Sequence, residues 1–404
     1  MQSPLPRGAA LYLAVVQFVF VTCWTVYVIY LPGLLETAGV PRAYAIYVLM
    51  LDQVIFAAMD IVMGVAADRA GRALGRLGPL ILGATTVSCV AFLLIPHAAR
   101  WGVYAPAASL AVLVVWTATS SALRAPPWAL LGKHAASPAV PWMNALLLTG
   151  LAAGGAIAPY LGVALKNVDP RLPFAISSVA LLITTAGLVR VERLLARQPA
   201  PPARPAPAAG ELFSGARVFL LGALVVALGF QVHFSLNSPG QYLRFARPEA
   251  LQYLMPVFWV GFNLAMFPGA ALAKRYGALH VTAAAALAGA AGALASALAG
   301  SLDVLLAAQL LAGGAWGCLL MAGFAAALES GRTGREGFAL GLLFSTLAVA
   351  TLARMVAAAA QIDKSPDLAP ALSFAPFVLW CAGAAAFIVL ARAAAPLGGQ
   401  RSVP

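Results

Sequence analysis

The sequence predicts an all-α membrane protein, with twelve transmembrane helices arranged as two pseudo-symmetric six-helix bundles. Three observations predict it. Of the 404 residues, 62% are apolar and only 9% are charged. The apolar residues fall in twelve runs, each long enough to cross a bilayer. A Pro/Ala/Arg-rich break near the middle divides those runs six and six, and the loop after the second run is echoed after the eighth.

Composition names the solvent. A soluble domain carries about a quarter charged residues. This chain has too few charged side chains to cover a water-facing surface, so lipid is the expected surroundings of most of it. The net charge of +12 does not mark a nucleic-acid partner. The basic residues sit in short clusters between apolar runs, where membrane topology places them. Cys23, Cys89, Cys318 and Cys381 lie inside apolar runs without metal-ligand spacing, and read as small packing residues.

A spanning helix needs about 20 mainly apolar residues. The expected spans are 9–31, 44–66, 78–96, 103–123, 140–165 and 172–189, then 217–238, 251–273, 278–299, 302–328, 337–360 and 370–393. The first is too long for a signal-peptide core and no small-residue cleavage site follows it, so it is expected to be retained. Gly and Pro inside the runs are tolerated in membrane helices. Between the halves, Arg190 to Arg217 contains Pro199-Ala-Pro-Pro-Ala-Arg-Pro-Ala-Pro207, the composition of an extended linker. The expected organisation is a bundle over 1–190, a cytoplasmic linker over 191–216 and a second bundle over 217–404.

Basic residues set the orientation. With both termini cytoplasmic, the inner segments hold 17 Lys and Arg and the outer segments seven, with Arg354 inside a span. Both termini and the linker are therefore assigned inside. The alanine-rich composition suggests a high-GC bacterial source and hence an inner (plasma) membrane.

After the second span comes Gly64-Val-Ala-Ala-Asp68-Arg69-Ala-Gly71-Arg72, and after the eighth Gly269-Ala-Ala-Leu-Ala273-Lys274-Arg275-Tyr-Gly277. Two six-helix repeats with a solute site between them is a transporter plan. The first loop resembles the signature loop of the major facilitator superfamily. Asp60-Ile-Val-Met-Gly64, Asp68-Arg69, Gly75-Arg76-Leu-Gly-Pro79 and the later Arg124-Ala-Pro-Pro-Trp-Ala-Leu-Leu-Gly132 are similar to its glycoside-pentoside-hexuronide and sucrose-type branch. Ile61 stands where that branch has proline, and Phe56 where it often has a first aspartate. The resemblance implies the major facilitator fold and alternating access. It also implies a gate built from Gly64, Asp68, Arg69, Gly71, Arg72, Gly75, Arg76 and Arg124. The Asp68 carboxylate can satisfy free amides at the start of another helix, or bridge to Arg69, Arg72 or Arg124, holding the inner side shut in one state. The plainer alternative is that these charges only set topology. A second stretch, Gly154-Gly-Ala-Ile-Ala158-Pro159-Tyr-Leu-Gly162, is similar to a pattern of proton-linked exporters, and is equally a small-residue packing stripe.

Ionisable groups inside lipid cost roughly 2.5–3.5 kcal/mol each, which makes Asp52, Asp60 and Arg354 candidates for coupling. Asp52 and Asp60 are eight residues apart, so their side chains point ~80° apart. In the superfamily plan the second and eleventh helices face each other. Asp52, ~12 Å deep, and Arg354, ~9 Å deep, are expected to pair when the outer side closes; otherwise Arg354 snorkels to the interface. Asp60 has no partner nearby in sequence. A carboxylate withdrawn from water can take and release a proton, so Asp60 is the expected coupling residue, or else a hydrogen-bonded structural aspartate. Gln17, Trp24, Thr25, Tyr27, Trp116, Asn144, Gln231, His233, Asn237, Asn263 and Trp316 are candidates to line a solute cavity, each with helix packing as its alternative.

No phosphate-binding loop, metal-ligand helix or nucleophile elbow is present in the sequence. The chain is therefore expected to be no enzyme and to use no cofactor or metal. Its expected partners are the bilayer, a small organic solute and a proton or sodium ion, with the monomer as the working unit. The expected function is proton- or cation-coupled symport of a polar, glycoside-like solute. The alternatives are a proton antiporter exporting a drug or metabolite, and a non-transporting receptor or scaffold of the same fold.

Overall fold

The computed structural model describes residues 7–71, 76–134, 139–196, 209–331, 334–362 and 365–394. They contain twelve helices long and apolar enough to cross a membrane, as the sequence predicts. These are α1 (Arg7–Thr37), α2 (Arg42–Ala70), α3 (Leu77–Ala98), α4 (Gly102–Gly132), α5 (Val140–Ala164), α6 (Arg171–Leu195), α7 (Gly215–Leu243), α8 (Pro248–Tyr276), α9 (Ala278–Ala297), α10 (Leu302–Ser330), α11 (Glu336–Ala359) and α12 (Ala369–Ala393).

The apolar residues are inside and outside alike. Leu13, Phe92, Leu147, Phe258 and Phe387 are buried, while Val62, Val90, Ile183, Leu264 and Val389 are exposed. That is the pattern of helices whose outer faces meet hydrocarbon rather than water.

The packing repeats with an offset of six. In the first half α1 packs on α5 and α6, α2 on α4, and α3 on α4 and α6. In the second half α7 packs on α11 and α12, α8 on α10, and α9 on α10 and α12. The halves join where α2 meets α11, where α5 meets α8 and α10, and where the later part of α4 meets α11. Twelve crossings put the α2–α3, α4–α5, α8–α9 and α10–α11 connections at one end, the loop face.

Two boundaries differ from the sequence expectation. Arg190 begins no linker: a helix runs over Leu188–Ala196, with Val191, Glu192 and Leu195 buried. Glu192 accepts hydrogen bonds from the Leu77 and Gly78 amides at 3.0 and 2.7 Å, covering free donors at the start of α3. The proline run of the linker, at 199–207, lies outside the described residues. Arg124 lies in no loop either. The fourth span continues through it to Gly132, because Pro126 and Pro127 interrupt the hydrogen-bond ladder without ending the helix.

Candidate functional site

The break in α4 positions the first part of the site. Regular helix ends at Ser120, a 3-10 turn covers Ser121–Leu123, and Arg124 has φ −92° and ψ −92° before helix resumes at Ala125. Proline has no amide proton. The Leu123 carbonyl, whose helical donor would come from Pro127, is left free, and the Gln17 side-chain amide of α1 donates to it at 2.7 Å. Gln17 thus holds the break together. Replacing Gln17 by leucine is expected to cost about 1–3 kcal/mol by leaving that buried carbonyl unpaired, read as a lower unfolding midpoint in detergent.

The break turns Arg124 inward. Its Nε lies 2.9 Å from both oxygens of Asp60. Asp60 is fully buried and the Arg124 side chain is 19% exposed. The guanidinium also sits over the ring of Phe56, 4.5 Å away, and that of Phe344, 5.1 Å away. Phe56 is on α2 and Phe344 on α11, so the cation rests between the two bundles. Asp60 has no partner nearby in sequence; the one it has comes from another helix, 64 residues on.

Asp52 and Arg354, expected to pair when the outer side closes, are not paired in this structure, where α2 and α11 meet at the loop face. Asp52 accepts a hydrogen bond from Tyr27 Oη at 2.7 Å and one from Thr117 Oγ1 at 2.7 Å. Both oxygens are used inside the first bundle. Arg354 has no hydrogen-bond partner for its buried Nε. The face of α2 that bears Asp52 turns toward α1 and α4, not α11. Around it Trp24 stacks on Trp116 at 5.5 Å, and Tyr27 and Phe56 pack against the same rings.

At the loop face the bundles meet through backbone. A side chain at Gly64 would collide with the Gly337 carbonyl, one at Gly337 with the Gly64 carbonyl, and one at Gly341 with the Asp60 carbonyl. These glycines let α2 and α11 touch without side chains between them. Asp68 then reaches across: its two oxygens accept from the Gly337 and Phe338 amides, each at 2.8 Å. Those amides are free donors in the first turn of α11, where a carboxylate is favoured. Gly71 closes α2 by donating to the Ala67 carbonyl, Arg69 is exposed, and Arg76 is an exposed residue at the start of α3. Arg72 and Gly75 lie outside the described residues. Trp128 beyond the break packs on Phe324 and Phe344, and Asn144 donates to the Met321 carbonyl at 3.2 Å. Both contacts also cross between bundles.

The remaining candidates are held by bonds and ring contacts within their own helices or bundles. Thr25 and Asn263 bond carbonyls of their own helices, Val21 and Trp259. Trp316 stacks on Phe230 at 4.3 Å inside the second bundle. Gln231 donates to Thr351 at 2.9 Å and Asn237 to the Leu372 carbonyl at 2.8 Å. His233 pairs with Gln309, which also donates to Ser238 and Gln241. Sequence reasoning missed Thr117, Glu192, Gln309 and Thr351. Gln309 was findable as the lone amide side chain of the tenth apolar run; the others carried no signal.

A search of curated proteins returns no match. Among solved structures the chain is similar to a bacterial homologue of the iron transporter ferroportin in an outward-facing state (13% identity, TM-score 0.74, covering 95% of this chain and 99% of that one). It is also similar to the human organic anion transporter MFSD10 (16%, TM-score 0.68, 97% and 99%) and to the transporter FucP in its outward conformation (16%, TM-score 0.67, 96% and 98%). At these identities the likeness is one of fold. The sequence itself matches the family description Major Facilitator Superfamily over residues 13–353, most of its length, and the chain belongs to that superfamily.

Proposed function

We propose that the protein is a secondary active transporter moving a small polar organic solute by alternating access, as a symporter coupled to a proton or another cation. The observation that carries this is the Asp60–Arg124 pair. It is a buried carboxylate whose counter-charge rests on Phe344 of the other bundle. Charge neutralisation at Asp60, by a proton or a bound cation, releases Arg124 and loosens its stack on α11. Ion occupancy is thereby linked to the seam between bundles. Asp68 acts as the inner gate, with the loop face cytoplasmic, an orientation that the basic-residue distribution supports. The bundles α1–α6 and α7–α12 rock against each other as a monomer in a bacterial inner membrane. The branch resemblance of Asp60 to Arg76 favours a hydroxylated solute. One solved structure of similar fold is that of the E. coli fucose:proton symporter, at 15% identity.

A gradient of about one pH unit stores 1.4 kcal/mol per proton and supports about tenfold accumulation by a one-proton symporter. In proteoliposomes, Asp60→Asn is expected to abolish that accumulation while solute exchange at zero gradient continues. Gradient-driven accumulation that survives in Asp60→Asn removes Asp60 from the coupling role.

The antiport reading is favoured by one feature. Gly154 of α5 packs on Val21 of α1 and Gly155 on Trp259 of α8, so the exporter-like stretch lies at the contact between bundles. Reversing the gradient separates the readings: a symporter accumulates solute toward the alkaline compartment and an antiporter toward the acidic one. A receptor of the same fold binds without flux.

A further inference from the structure

Among the described residues, Arg354 is a cation inside a span, away from its ends, with no counter-charge beside it. Its Nε is buried without a hydrogen-bond partner, and no acceptor among the described residues engages its terminal nitrogens. Of the buried carboxylates among the described residues, Asp52 is committed to Tyr27 and Thr117, Asp60 to Arg124, Asp68 to the start of α11 and Glu192 to the start of α3. Glu336 is at the other end of α11, about 27 Å away along the helix. An unpaired charge inside a membrane span is a functional candidate by default.

Its position gives the ligand. On α11, Val349, Ala353 and Val356 are exposed and share one arc. Arg354 points ~100° from Ala353, on the arc it shares with Leu347 and Thr351. That arc faces α7, because Thr351 accepts a hydrogen bond from Gln231. There α7 is wound as a π-helix over Gln231–Asn237, an irregularity frequent at functional sites. It brings Ser235 within 3.5 Å of the Gln231 side-chain oxygen. Gln231, Ser235, Thr351 and Arg354 are all partly exposed, although their helices are packed against each other. Arg354 therefore belongs to a polar, partly exposed arc of α11 that faces α7.

We propose that Arg354, with Gln231 and Thr351 beside it, is an anion subsite that receives the carboxylate of a small organic monoanion. A guanidinium offers two parallel N–H donors that match a carboxylate. One uncompensated charge calls for one negative charge. The hydroxyl and amide groups alongside suit a hydroxylated carbon skeleton. This deepens the transporter reading above and rests on it for the fate of the bound solute.

The test is a thermal-shift comparison on the purified full chain in lipid-free detergent. The probes are lactate, gluconate and benzoate, each beside its neutral amide, against wild type, Arg354→Gln and Arg354→Lys. The expected result is that at least one carboxylate raises the unfolding midpoint and its amide does not. Arg354→Gln should then lose at least about tenfold in apparent affinity, with Arg354→Lys in between. The proposal is overturned by equal shifts from an amide, by a carboxylate shift that survives Arg354→Gln, or by no shift from any carboxylate. Stabilisation by anionic lipid vesicles alone also overturns it, assigning Arg354 to a headgroup phosphate. Counterflow of the same solutes keeps the two claims apart. Flux of neutral solutes indifferent to Arg354→Gln removes the anion subsite and leaves a transporter. A carboxylate shift without flux leaves the subsite and removes transport.

Discussion

Replacing Arg124 by glutamine is expected to destabilise the protein by about 3–5 kcal/mol, the cost of stranding a buried carboxylate. Asp60 has no exposed surface and takes its counter-charge from Arg124 alone among the described ion pairs. Glutamine leaves a buried charge without its counter-ion. Asp60→Asn should cost less. Arg124 is partly exposed and its charge, freed from Asp60, can reach water, so it retains some compensation. The double replacement Asp60→Asn with Arg124→Gln should recover much of the loss, because two neutral amides can bond each other across the same gap. Unfolding midpoints of the four proteins in detergent measure this. A double variant no more stable than Arg124→Gln would show that the two side chains do not act as a pair.

The twelve spans and their grouping were legible because lipid imposes a length and a composition on every crossing helix. The partners of the buried charges were not. Arg124 reads as a loop residue, since the Pro126-Pro127 pair behind it looks like the end of a span. In a bundle, however, a helix can lose two amide donors and continue, provided another side chain takes the freed carbonyl. Gln17, 106 residues away, does so, and local sequence carries no trace of that contact. Asp52 illustrates the same limit. Tyr27 was already among the cavity candidates, but its hydrogen bond to Asp52 was not foreseen. Which face of α2 turns toward α1 and which toward α11 is decided by Gly64, whose missing side chain lets α11 approach on that side. The glycine was visible as part of a loop motif; its contact with Gly337 was not. Glu192 read as a charge near a linker, and its use as the cap of α3 depends on α6 extending beyond its apolar run.

Valine at Gly337 is expected to keep the loop face from closing and to reduce transport roughly a hundredfold. A side chain there would overlap the Gly64 carbonyl and crowd the Asp68 carboxylate. It leaves the amide proton that Asp68 uses, so the effect is steric and not a lost donor. The neighbour in the way is backbone, which cannot rotate aside, and overpacking of this kind costs about 1–3 kcal/mol. At the upper end that shifts a two-state balance about a hundredfold, and a cycle that must pass through the closed state slows in proportion. Spin labels at Arg69 and Arg335, exposed residues from either bundle at the loop face, should report a longer separation in Gly337→Val than in the parent. Solute binding, which does not need the seam shut, should persist. Gly323→Ala supplies the control, since nothing lies within 4 Å of a side chain added there, and it should transport like the parent. If Gly337→Val moves solute at the parental rate, close backbone contact between α2 and α11 is no obligatory stage of the cycle, and Asp68 holds a structural joint instead of a gate.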